Sequence, residues 1–170
     1  ALTIPEHPHF EDESEQVVWD ALRSQLRDGD VLLHGVRFTD PTHGEVEIDL
    51  LILMPDCGAA VIEVKGGHVT FTQGEWRQSD ASGSRQIHPI LQARNGVYAL
   101  KRYLEAQPSW SRGALRAGWL LAFPYLTVTG AMGPEARRDL ILGREDLPEA
   151  AAITYDRLWS PEFQTPLPAD

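Results

Sequence analysis

Two neighbouring apolar runs, each interrupted by one carboxylate, constrain this chain more than any other feature. Glu45–Leu53 and Ala59–Lys65 are rich in Ile, Leu, Val and Ala, and Met54-Pro55-Asp56-Cys57-Gly58 separates them. Apolar runs of this length bounded by Pro and Gly read as the two strands of a hairpin. Side chains alternate across a strand. Glu47, Asp49, Leu51 and Leu53 are therefore expected on one face of the first strand, and Ala59, Val61, Glu63 and Lys65 on one face of the second. Folding the hairpin about Asp56 pairs Leu53 with Ala59 and Leu51 with Val61. The same register sets Asp49 opposite Glu63, and Glu47 opposite Lys65.

That register has a physical consequence. Carboxylates directly opposite in a sheet lie about 4.5–5.5 Å apart at Cβ and repel each other. Asp49 and Glu63 sit in otherwise apolar rows, so neither turns freely to bulk water. A divalent cation resolves the conflict, and carboxylate oxygens are the ligands that Mg²⁺ and Mn²⁺ prefer. Taken singly, each residue also has a purely structural reading. Asp49 and Glu63 suit a shared proton or an Arg partner, and Lys65 suits an ion pair with Glu47. Their convergence on one patch favours a functional site.

The remaining chain reads as an α/β layout. Ser14–Leu26 is expected to be helical, with Val18, Trp19, Leu22 and Leu26 on one face. Glu15 falls in line with that buried stripe, and an acid there is costly unless paired or near a metal. Asp12 and Ser14 are both candidate caps, which leaves the helix start open. Val31–Phe38 reads as a strand, with a turn at 40–44. Val69–Thr72 and Glu75–Arg77 read as a small hairpin, and the Ser/Gly/Asp-rich stretch Ser79–Arg85 as a loop. Pro89 suits the first position of a helix running to about Glu105. Leu115–Phe123 reads as a buried strand, Asp139–Leu142 as a short one, and Tyr155–Trp159 as a helical turn. The expected organisation is one unit over 1–160, with a loose tail at 161–170 that holds Pro161, Pro166 and Pro168.

Composition narrows the function classes. No apolar run reaches membrane-spanning length, and Ala1–Phe10 lacks the apolar core of a signal peptide. The single cysteine, Cys57, permits no internal disulfide and no Cys-based zinc site, which suits a reducing cytoplasm. His7, His9, His34, His43, His68 and His88 have no metal-ligand spacing. Gly66-Gly67 is not followed by the Lys-Ser/Thr of a phosphate loop. The Trp residues are scattered and read mostly as core. Arg94, Lys101 and Arg102 read as a solvated helix face. A net charge of −10 argues against a protein that coats nucleic acid by charge alone. An acidic chain still handles nucleic acid where metal ions supply positive charge locally.

Glu47-Ile48-Asp49-Leu50-Leu51, followed by Val61-Ile62-Glu63-Val64-Lys65-Gly66-Gly67, resembles the nuclease-related domain (NERD) of the PD-(D/E)XK nuclease superfamily. Glu15, Trp76 and Pro89-Ile90-Leu91-Gln92-Ala93 extend the resemblance, which covers residues 12 to 123. Gly96 stands where a RecB-type Gln-x-x-x-Tyr element would have Tyr, so that element is not assigned. The resemblance implies a restriction-endonuclease-like core, a mixed central sheet flanked by helices. It implies a metal-dependent deoxyribonuclease in which Asp49, Glu63 and the Val64 carbonyl bind Mg²⁺ or Mn²⁺. Lys65 would orient or deprotonate the attacking water, or stabilise charge on the phosphate. Glu15 would bind a second metal or orient its water, and Gln92 would hold that water or a phosphate. DNA is the expected partner, with RNA left open. The stretch from Phe123-Pro124 to Arg144-Glu145-Asp146-Leu147 resembles the one preceding a helicase in fusions of this family, which would supply the grip that an acidic domain lacks. The alternative is a nuclease-like module that binds nucleic acid or a protein without cutting.

Overall fold

The structure is a computed structural model that describes residues 1–55, 57–111 and 113–160. The expected tail at 161–170 and the hairpin residue Asp56 lie outside the described residues.

The two apolar runs form β3 (Gly44–Met54) and β4 (Gly58–Val64). They pair antiparallel in the expected register, with Leu53 opposite Ala59 and Leu51 opposite Val61. The ladder stops at Leu50–Ile62, one step before Asp49 and Glu63. The expected contact of Glu47 with Lys65 is therefore not made. β2 (Val31–Asp40) pairs antiparallel with the other edge of β3, and that ladder skips Gly35 and Asp49. Gly35 has φ of +63°, a left-handed conformation that glycine adopts without strain. The skip corrects one expectation. Ile48, rather than Glu47 or Asp49, lies with Leu51 against the same core, and Leu50, Ile52 and Met54 join the opposite one. Strict alternation breaks at Asp49, which leaves the ladder and frees its carboxylate for the end of β4.

β1 (Leu2–Ile4), a strand not expected from the sequence, adds parallel to β2. β8 (Ala117–Phe123) pairs parallel with β4, and β9 (Ile141–Gly143) parallel with β8. The result is a six-stranded mixed sheet in the order β1-β2-β3-β4-β8-β9. A 3₁₀ turn at Arg138–Leu140 takes up part of the expected Asp139–Leu142 strand.

Helices cover both faces, as a sheet with two apolar faces requires. On one face, α1 (Glu13–Gln25) and α3 (Ala150–Leu158) bury Val18, Trp19, Leu22 and Leu158 against Leu32, Leu50 and Ile62. α3 is longer than the Tyr155–Trp159 turn expected. Its start buries only the small side chains of Ala150 and Ala151, which give little periodic signal. On the other face, α2 (Pro89–Glu105) places Val97 and Leu100 on Ile48, Leu51 and Val61. Gly96 permits this approach, since a Cβ there would lie 3.1 Å from both Ile48 Cγ1 and Val61 Cγ1. No helix among the described residues is long and apolar enough to cross a membrane.

A second, three-stranded sheet follows β4 in the chain, made of β5 (His68–Thr72), β6 (Glu75–Asp80) and β7 (Gly83–Ile87). β6 and β7 replace the loop expected at Ser79–Arg85. Gly83 to Gln86 are exposed, so their pairing needs no apolar alternation and leaves no such signal in the sequence. Val69, Trp76 and Ile87 anchor this sheet on Ile90 and Ala93 of α2 and on Phe123. Its β6–β7 edge thereby overhangs the end of β4.

Candidate active site

The end of β4 delivers Glu63, Val64 and Lys65 to one place. Glu63 is buried at 3% exposure among apolar neighbours. Lys65 Nζ lies 3.3 Å from Glu63 Oε1 and is its ion-pair partner. Glu47 pairs instead with Arg37, at 3.5 Å, so Lys65 is not the partner of Glu47. Asp49 reaches across from β3, where its Oδ2 accepts a hydrogen bond from the Val64 backbone N–H at 2.9 Å. That bond ties the two acid-bearing strands together at the point where their ladder has ended.

α1 brings the third acid. Asp12 caps the helix by accepting hydrogen bonds from the Ser14 amide at 2.9 Å and the Ser14 hydroxyl at 2.6 Å. With the start so defined, Glu15 lies half-buried beside Asp49. Close packing fixes the helix end here, because a Cβ on Gly66 would lie 2.9 Å from Ser14 Cβ and Oγ. His34, to which the sequence assigned no role, lies behind Glu15 with Nε2 3.8 Å from its Oε2. The Phe10 ring packs on the imidazole with centroids 4.4 Å apart.

Electrostatics follow from this crowding. Burial pushes the Glu63 carboxyl up to about 8, and the Asp49 charge adds to it. Burial and then Asp49 likewise raise Glu15 to about 8. Burial raises Asp49 as well, opposed by the Val64 amide and the Lys65 charge. His34 is lowered by burial. Three acids thus share one ammonium, and near neutral pH the cluster retains protons that ordinary carboxyls have lost.

These groups open on a cavity of about 360 Å³. Its walls include Glu15, Glu47, Asp49, Glu63, Val64, Lys65 and Gln92, together with Asp12, Gln78, Arg85 and Ile87. Glu15, Asp49, Glu63, Val64, Lys65 and Gln92, the six site residues singled out by sequence, are therefore brought together. Gln92 is exposed, at the first turn of α2. Gln78 and Arg85 escaped notice because their strands read as a loop end and a loop. The alternation of Trp76, Gln78 and Asp80 with Arg77 and Ser79 is the signal that could have extended β6. The basic residues on α2 do not reach the cavity. Arg94 lies 3.8 Å from Glu135, and Arg102 donates to Asp40 at 2.9 Å.

The donor chemistry suits a hard divalent cation. Asp49 and Glu63 offer carboxylate oxygens, and Val64 lines the same cavity. Among the described residues no group of three His, Cys, Asp or Glu side chains is spaced to hold a metal, so a backbone oxygen and waters would complete the shell.

The family model of the nuclease-related domain matches residues 11–119. This chain belongs to the nuclease-related domain family. The match runs from before the α1 cap to the middle of β8 and takes in every residue of the acid cluster. Neither a curated protein nor a solved structure gives a significant match. Membership in the nuclease-related domain family makes this a nuclease-like protein at the family level. Its mixed six-stranded sheet flanked by helices is consistent with the PD-(D/E)XK core.

Proposed function

We propose that residues 1–160 form one nuclease-related unit that hydrolyses phosphodiester bonds in DNA with the help of Mg²⁺ or Mn²⁺. The observation that carries this reading is the convergence of Glu15, Asp49 and Glu63, buried or half-buried, beside Lys65. Such a cluster is under-compensated in charge, and a divalent cation relieves it.

Asp49, Glu63 and the Val64 carbonyl would hold the metal. Bound there, it would make a water more acidic and neutralise charge on the phosphate oxygens. Lys65, anchored by Glu63 at 3.3 Å, presents an ammonium to the charge that develops on the phosphate. Glu15, beside Asp49, keeps a proton at the rim of the cluster. The exposed Gln92 amide offers a neutral donor to a phosphate oxygen or a water. The single thiol of Cys57 is buried, which suits a reducing, cytoplasmic setting.

The net charge of −10 supports a second reading, a module that binds without cutting or that cuts only beside a partner such as a helicase domain. One experiment separates the two. Mn²⁺ is titrated calorimetrically into the wild type and Glu63→Ala, and the same samples are incubated with plasmid, single-stranded DNA and RNA. Metal binding and DNA cleavage that both vanish in the variant support the nuclease. Binding without cleavage of any substrate favours the partner-dependent module. No metal binding by the wild type overturns the proposal.

A further inference from the structure

The cavity at the end of β4 has a charge problem that its metal-holding residues do not solve. Asp12, Glu15, Glu47, Asp49 and Glu63 line it, against Lys65 and one other cation, Arg85. Lys65 is engaged by Glu63. Arg85 comes from the opposite wall, on β7, and its position is built. Arg85 Nη2 donates to Gln78 Oε1 at 3.1 Å and to Asp80 Oδ2 at 2.9 Å. Gln78 is buried and donates through Nε2 to the Gly66 carbonyl at 2.7 Å, immediately after Lys65. Asp80 is held in turn by the Ser82 amide at 2.8 Å. A continuous chain of hydrogen bonds thus runs from the end of β4 through Gln78 to the guanidinium.

The fork is only partly used. Among the described residues every side-chain hydrogen bond of Arg85 goes through Nη2, which leaves Nε and Nη1 without a protein acceptor. The side chain is 48% exposed, at the cavity rim. A guanidinium carries five donors in a fixed plane, matched to two oxygens of a phosphate. Arg77, which stands opposite Gln86 in the β6–β7 ladder, differs on each count. It bonds Ser84 at 3.2 Å, pairs with Glu75, and does not line the cavity.

We infer that Arg85 is a further phosphate-binding residue of this site. It takes a DNA backbone phosphate on the wall opposite Asp49 and Glu63 and offsets the carboxylates that would otherwise repel the strand. This rests on the nuclease reading of the same cavity. Gln78 is its positioning residue, since its amide fixes the guanidinium relative to Gly66. A contact of this kind carries no sequence information and weakens all sequences alike when lost.

The test measures fluorescence anisotropy of labelled single-stranded DNA, with Ca²⁺ in place of Mg²⁺ or Mn²⁺ to hold off cleavage, over a series of salt concentrations. Wild type is compared with Arg85→Gln, Arg85→Lys and the control Arg77→Gln. Arg85→Gln keeps a donor for Asp80 while removing the charge, and thermal melts check that it folds. The expected result is about a tenfold loss of affinity in Arg85→Gln. Its slope of log affinity against log salt should fall by about one, while Arg85→Lys and Arg77→Gln keep the wild-type slope. If Arg85→Gln binds with wild-type affinity and slope, Arg85 merely braces β7 and the inference fails alone. If the wild type neither binds nor cleaves DNA, the nuclease proposal fails and takes this inference with it.

Discussion

At the scale of single residues the site is defined by acids held where acids are unstable. Glu63 carries the sharpest consequence. Its carboxyl is raised from 4.5 to about 8, with burial as the largest cause. Below pH ~4.5 it is protonated in both folded and unfolded chains. Between there and about 8 the unfolded chain loses the proton and the folded chain keeps it, so stability falls as pH rises through that window. Metal-free wild type and Glu63→Gln are therefore expected to melt together near pH 5. At pH 8.5 the variant should melt higher, by about 2–4 °C for each ~1 kcal/mol of relief. A variant that melts lower at both pH values would make Glu63 a structural ion-pair partner of Lys65. Metal binding must displace these protons. Mn²⁺ affinity of the wild type is accordingly expected to climb from pH 6 to pH 8, with proton release measurable by calorimetry in two buffers of different ionisation heat.

At the scale of elements, the pairing of β3 with β4 was legible because Leu53, Leu51, Ala59 and Val61 admit one register around a short turn. The sequence also showed α1 and α2 through their apolar stripes. It did not show that Asp49 leaves the ladder. That follows from Gly35 on the neighbouring strand, and a glycine alone does not announce a skipped pair. Nor did it show β7, whose exposed Ser84, Arg85 and Gln86 satisfy their backbone by pairing with β6 and bury little. The candidate site was legible where function sits on apolar strands and illegible where it sits on a polar one. Gly66 tests how tightly α1 is set against β4. Gly66→Ala would press a methyl against Ser14, 2.9 Å away, and lift the helix that carries Glu15. A cost of about 1–3 kcal/mol in stability is expected from such overpacking. Metal affinity should fall with it, and Ser14→Gly in the same chain should recover part of both. Melts and Mn²⁺ titrations of the single and double variants measure this, and additive losses would mean that the two positions do not touch.

For the whole molecule, charge is the governing quantity. A chain at −10 gains stability from a cation that binds only the folded state. At Mn²⁺ about a hundredfold above its dissociation constant, the gain is about 2.7 kcal/mol. That corresponds to a melting point about 5–10 °C higher, expected for wild type and absent in Glu63→Gln. An equal rise in both would place the metal elsewhere on the surface. The arrangement of the two sheets carries a further consequence. The three-stranded sheet occupies one uninterrupted stretch, His68–Ile87, between β4 and α2. It contributes Gln78 and Arg85 to the cavity, and none of the carboxylates lining the cavity comes from it. On the proposed reading, the metal-holding carboxylates and the guanidinium that meets the phosphate are encoded in separate segments of the gene. A cassette exchanged between Gly67 and His88 would then redirect such a domain to a different strand geometry while its metal-holding half stays untouched.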